Sequence, residues 1–122
     1  MADIYMYSTT DKRYPKGRKL ETINLNDSSE YEPYIDPNER FILFSSNRKA
    51  AYGKLDIYIS LNENGRWSKP VNLGKQINNG EAVYSPYVSP DSQFLFFNRK
   101  GDLYWVNFQL LLKSLNVNLN NE

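Results

Sequence analysis

The chain repeats itself at a spacing of 53 residues, and a repeat of that length constrains the fold more than any single motif. Tyr31-Glu32-Pro33-Tyr34-Ile35-Asp36-Pro37-Asn38 returns as Tyr84-Ser85-Pro86-Tyr87-Val88-Ser89-Pro90-Asp91. Phe41-Ile42-Leu43-Phe44 returns at the same offset as Phe94-Leu95-Phe96-Phe97, and Asp3-Ile4-Tyr5 as Asp56-Ile57-Tyr58. Tyr14, Lys16 and Leu20 fall on Trp67, Lys69 and Leu73. A third Asp-aliphatic-Tyr, Asp102-Leu103-Tyr104, comes only 46 residues after the second, the shortfall lying between the Phe-rich strand and Asp102. Turns, prolines and aromatics aligned over a whole period point to duplicated units that bury their apolar faces by stacking.

Each unit reads as four short strands. Tyr84 to Val88 is the first type, closed by the turn Ser89-Pro90-Asp91-Ser92, and Phe94 to Asn98 is the second, apolar on both faces as a strand between two layers must be. Asp56 to Ser60 is the third type, ended by Asn62-Glu63-Asn64-Gly65, whose Asn-Gly tolerates the positive φ of a tight hairpin. Arg66 to Leu73 is the fourth, and Pro70 within it marks an edge. Four antiparallel strands per period, apolar on both faces, describe a β-propeller blade.

Composition narrows the chemistry. Cysteine and histidine are absent, so disulfides, Cys nucleophiles, Ser-His-Asp triads and Cys/His zinc sites are excluded. Lys plus Arg is 15 against 14 for Asp plus Glu, without the basic excess of a nucleic-acid module, so no nucleic-acid partner is expected. No apolar run is long enough to cross a bilayer, and Met1-Ala2-Asp3-Ile4-Tyr5 does not read as a signal peptide. Eighteen aromatics, ten of them Tyr, broken by Asn, Gly and Pro, suit an all-β chain with tight turns.

At these residues the chain resembles the TolB-like propeller repeat, the Pro-Asp relative of the WD repeat. One copy stands as Pro86-Tyr87-Val88-Ser89-Pro90-Asp91-Ser92, Phe94 to Phe97, Arg99 and Asp102-Leu103-Tyr104. The other runs Pro33-Tyr34-Ile35-Asp36-Pro37-Asn38-Glu39, Phe41 to Phe44, Ser46-Asn47-Arg48 and Asp56-Ile57-Tyr58. Gly65-Arg66-Trp67-Ser68-Lys69-Pro70-Val71-Asn72-Leu73-Gly74 is similar to the outer-strand segment of envelope-associated members. The family's turn glycine is Glu39 in one copy and Ser92 in the other, so both turns are expected to be strained or of another type.

The resemblance implies a partial propeller of roughly two to two and a half blades: a partial blade over 3–26, a full blade over 31–73 and a partial blade over 83–107, with a helical or extended tail over 108–122. Phe108, Leu111, Leu112 and Leu115 sit at helical spacing, as in a short helix covering the last blade. Members of the family typically carry six blades, so the chain is either a piece of a longer propeller or a subunit that completes a ring with copies of itself through its open blade faces. The N-terminal strands, Asp3 to Thr9 and Lys16 to Ile23, are expected to pair with another chain's Tyr84 to Val88 and Phe94 to Asn98. The implied function is non-enzymatic binding of protein, peptide or cell-envelope components, in the periplasm or cell envelope. The alternatives are a substrate-filtering propeller domain of a prolyl-oligopeptidase-like peptidase and an assembly unit with a purely structural role.

No residue stands out as catalytic, and no metal ligand or cofactor is expected. Asp3, Asp56 and Asp102 recur at one strand position, and repetition suits backbone caps better than a singular catalytic site. Arg48 and Arg99 recur likewise and are expected to pair within their blades. Asp27-Ser28-Ser29-Glu30 and Asn78-Asn79-Gly80-Glu81 occupy links on one face of the propeller, where ligands approach, but lack the alternating spacing of a calcium loop. Ser60 to Trp67 faintly resembles the sialidase Asp-box, yet no carboxylate pair accompanies it, and a plain hairpin is expected.

Overall fold

The computed structural model describes residues 1–10, 17–49 and 52–119. Tyr14 and Lys16, two of the repeat's counterparts, lie outside the described residues. The described residues are all-β, with three antiparallel sheets and one short C-terminal helix. β1 (Tyr5–Met6) pairs with β2 (Arg18–Lys19). β3 (Glu30–Ile35), β4 (Phe41–Ser46) and β5 (Asp56–Glu63) form a meander that β6 (Arg66–Trp67) and β7 (Val71–Asn72) extend, both on β5. β8 (Val83–Val88), β9 (Phe94–Arg99) and β10 (Asp102–Asn107) form the third sheet, and α1 (Phe108–Ser114) follows.

The repeat is reproduced in hydrogen-bond register. Leu43 faces Ile59 and Phe44 faces Tyr58; their counterparts Phe96 and Phe97 face Trp105 and Tyr104. Tyr34 opposes Leu43, and Tyr87 opposes Phe96. Both inner pairs shift register at the same place, between Tyr31 and Tyr34 and between Tyr84 and Tyr87. Glu32 and Ser85 stand there at φ 48° and 54°, a bulge that side chains other than glycine rarely enter.

Alternation along the strands sends side chains to opposite faces, and each face of the middle sheet finds a different partner. Phe41, Leu43, Ile57 and Ile59 form its front face and pack on Val88, Leu95 and Phe97 of the third sheet. Ile42, Phe44 and Tyr58 form its back face and pack on Ile4, Met6, Leu20 and Ile23 of the N-terminal segment. This explains why every residue of β4 is buried.

Two expectations need correcting. The fourth strand, expected as one run from Arg66 to Leu73, is two short strands, because Pro70 has no N–H to give a continuous ladder. A second chain's N-terminal strands also cannot pair with β9, whose two edges are filled by β8 and β10. The expected tail helix is present as α1, capped by Asn107, whose Oδ1 accepts the Leu110 amide at 2.9 Å. Phe108, Leu111 and Leu112 are buried between the second and third sheets, the Phe108 ring 5.3 Å from that of Phe41.

Candidate functional site

The repeated aspartates do three different things. Asp3 pairs with Lys19 at 3.1 Å, Asp56 is fully buried and accepts from Asn72 Nδ2 at 3.1 Å, and Asp102 is exposed. Burial pushes the Asp56 carboxyl above its ordinary value, against the Asn72 hydrogen bond and the Tyr52 and Gly53 amides. They form no ring of carboxylates. Among the described residues, no three Asp or Glu side chains converge on one point.

The repeated arginines are clamps. Arg48 lies over the rings of Phe44 and Tyr58, at 5.3 and 4.8 Å, and donates to the Ile23 carbonyl at 2.6 Å. Arg99 lies over Phe97 and Tyr104, at 5.6 and 4.4 Å, and donates to the Ile77 carbonyl at 3.0 Å. Each stacks on its own sheet, as expected, and also holds the link that leads into that sheet.

The links are structural where they are buried. Glu30 accepts hydrogen bonds from Ser28 Oγ at 2.7 Å, Ser46 Oγ at 2.8 Å and Arg48 Nη2 at 3.3 Å. Ser29 accepts from the Ala2 amide at 2.9 Å, tying down the first residues of the chain. Asn78 Oδ1 accepts the Ile57 amide at 2.9 Å while its Nδ2 donates to the Ile57 carbonyl at 3.0 Å. Asn24, not singled out in the sequence, does the same to Ile4, at 2.7 Å in both directions. The signal was available: Ile23-Asn24 recurs as Ile77-Asn78, at a spacing of 54. Asp27, Asn79 and Glu81 are exposed and gather no shared centre. Ser60 to Trp67 forms the plain hairpin β5–β6, turning on Asn64 at φ 57° and Gly65 at φ 87°.

An apolar concavity lies between the N-terminal strand pair and the middle sheet. It is a groove of about 420 Å³ floored by Ile4, Leu20, Ile35 and Ile42 and walled by Pro33, Pro37 and Trp67. Asp36 and Glu39 supply its carboxylates. Asp36 is buried and held by Arg40, which donates from Nε at 2.7 Å and from Nη2 at 3.1 Å. Burial raises the Asp36 pKa, but the Arg40 hydrogen bonds and charge outweigh it and leave the carboxyl below its ordinary range. A concave apolar surface with a fixed carboxylate at one end suits an extended apolar segment. Among the described residues, no helix is long and apolar enough to cross a membrane. No family model matches the chain, and no curated protein matches it.

Proposed function

We propose that the chain is a non-enzymatic binding module of the TolB-like propeller type, a part of a larger or self-assembled propeller in the cell envelope. Its ligand is a protein, a peptide or another envelope component. The observation that supports this reading is the apolar groove of about 420 Å³ beside Ile35 and Trp67, floored by the back face of the middle sheet. The repeated arginines are occupied in packing their sheets, and Asp3 and Asp56 pair with Lys19 and Asn72.

Peptides selected from a displayed library against the whole chain test it. With Trp105→Phe, fluorescence reports Trp67 alone, the remaining one of the two tryptophans. Selected peptides are expected to be apolar, to shift Trp67 emission and to lose at least about tenfold in affinity, ~1.4 kcal/mol, on Ile35→Asp. Peptides that bind Ile35→Asp equally well would overturn the reading. So would turnover of a peptide, ester or glycoside that disappears on one Asp or Glu substitution without loss of folding.

A further inference from the structure

The repeat identifies a second surface, on the far side of the molecule from the groove. In the middle sheet Phe41, Leu43, Ile57 and Ile59 are covered by the third sheet. Their counterparts in register are Phe94, Phe96, Leu103 and Trp105. Leu103 is 72% exposed and Trp105 62%, with the half-exposed Tyr87 beside them. Among the described residues, no strand packs on this front face. Aromatic and aliphatic side chains at this exposure leave an apolar patch on the order of several hundred Å², the scale of an interface.

The chain also carries an uncovered face of the opposite kind. Ile4 and Met6, beside and on β1, pack on the middle sheet, and the alternate residues Tyr5 and Tyr7 are 57% and 64% exposed, Tyr5 also bordering the groove. Tyr5 is the counterpart of Tyr58, a back-face residue that packs on the front face of the N-terminal strands. Among the described residues both sheet contacts are thus front face on back face, and one face of each kind is left over.

We propose that these two faces meet between copies of the chain: Leu103 and Trp105 of one copy seat Tyr5 and Tyr7 of the next, continuing the stack already formed twice within each molecule. This rests on the propeller-blade reading above and names a partner for it. The contact is heterologous, so copies associate head to tail. They close into a ring if the rotation per copy divides the circle and extend into a filament if it does not.

Sedimentation of the full chain from about 1 to 100 µM tests the proposal, this span covering the affinities of weak and moderate assemblies. Mass is expected to rise above the 14.3 kDa of one chain with concentration. Leu103→Glu with Trp105→Glu, and separately Tyr5→Glu with Tyr7→Glu, are each expected to hold the chain at monomer mass. An equimolar mixture of the two variants retains one intact face of each kind and is expected to form dimers and nothing larger.

A measurement that does not rely on disrupting the fold uses the absence of native cysteine. Copies carrying Leu103→Cys, mixed with copies carrying Tyr7→Cys, are expected to cross-link to each other in preference to themselves. Wild-type chain that stays monomeric at 100 µM overturns the proposal. So does an assembly unchanged by both double substitutions, or cross-linking of each cysteine variant mainly to itself. Any of these leaves the peptide-groove reading standing, since that reading is tested at Ile35 and Trp67 and not at Tyr5, which borders both surfaces; loss of peptide binding with head-to-tail assembly intact overturns the groove reading alone.

Discussion

Ser85 donates its hydroxyl to the carboxylate of Glu32 at 2.6 Å, and the two residues are copies of one another, 53 positions apart. A residue touching its own repeat copy says how the copies are related. Stacked sheets stand about 10 Å apart, yet the copied rings of Tyr34 and Tyr87 have centroids separated by 5.4 Å. Counterparts come this close where the sheets converge, along the inner strands β3 and β8. The sheets therefore fan outward from that edge, which is the relation a propeller needs between successive blades.

Glu39 and Ser92 occupy equivalent turn positions 53 residues apart and adopt φ 55° and 61°, the left-handed conformation that favours glycine. Glu39→Gly removes this strain while keeping the backbone carbonyl that accepts from Asn62 at 3.0 Å. It is expected to stabilise the chain by ~0.5–1 kcal/mol, after the entropy cost of a freer unfolded state. A thermal melt will show a rise of roughly 2–5 °C.

Arg48→Ala is expected to cost ~3–5 kcal/mol, because it leaves the wholly buried Glu30 carboxylate without its cation and removes the clamp on Ile23. The third sheet carries Val83 where the second has Glu30. Glu30→Val combined with Arg48→Met is therefore expected to be less damaging than Arg48→Ala alone. Urea unfolding of the two variants reads the difference directly.

Two aspartates give the acid limb of stability opposite signs. Asp36 is lowered from 3.8, so its contribution is complete above that value and is lost as pH falls through its folded pKa. Asp56 is raised from 3.8, so the folded state is favoured by its protonation, a contribution complete below 3.8 and lost as pH rises through its folded pKa. The penalty of Asp36→Asn is expected to shrink on acidification below 3.8, whereas Asp56→Asn flattens the profile above it. Denaturant melts across the acid range check both signs.

A Cβ on Gly53 would lie 2.8 Å from the carbonyl carbon and oxygen of Gly80, where the two loops cross. Gly53→Ala is expected to destabilise by ~1–3 kcal/mol, since backbone must move on both sides of the contact. Gly65, on the open β5–β6 turn with nothing near its would-be Cβ but with φ 87°, is the comparison. Its replacement by Ala strains only its own turn. Amide exchange near Asn79 and Gly80 will quicken in the first variant alone.

What was legible in the sequence is what repeats. Strand type, turn position and face all follow from residues that recur at 53, and the register of β9 with β10 survives even the shortened loop before Asp102. Features without a counterpart stayed hidden. Glu30 sits in a polar cluster that Val83 cannot copy, so no comparison within the chain exposed it. Asn24 escaped because it stands 54 residues from its counterpart Asn78, one residue out of step. The groove was also out of reach, since it depends on Ile35 being left exposed, with no strand among the described residues covering that part of the middle sheet's back face.

The meander order of the larger sheets has a consequence for how the molecule assembles itself. In β3–β4–β5 and β8–β9–β10 each strand bonds to the next one along the chain, so these ladders need only short loops to close. Contact order within each sheet is low, and each can nucleate without waiting for the other. The later step is docking of the preformed faces, when Tyr34 reaches the Val88 carbonyl at 2.9 Å and Phe108 enters between the sheets. The β1–β2 pair, with only two registered positions of its own, joins that stack through its packing on Ile42 and Phe44 and through the Asn24 and Ser29 hydrogen bonds to Ile4 and Ala2.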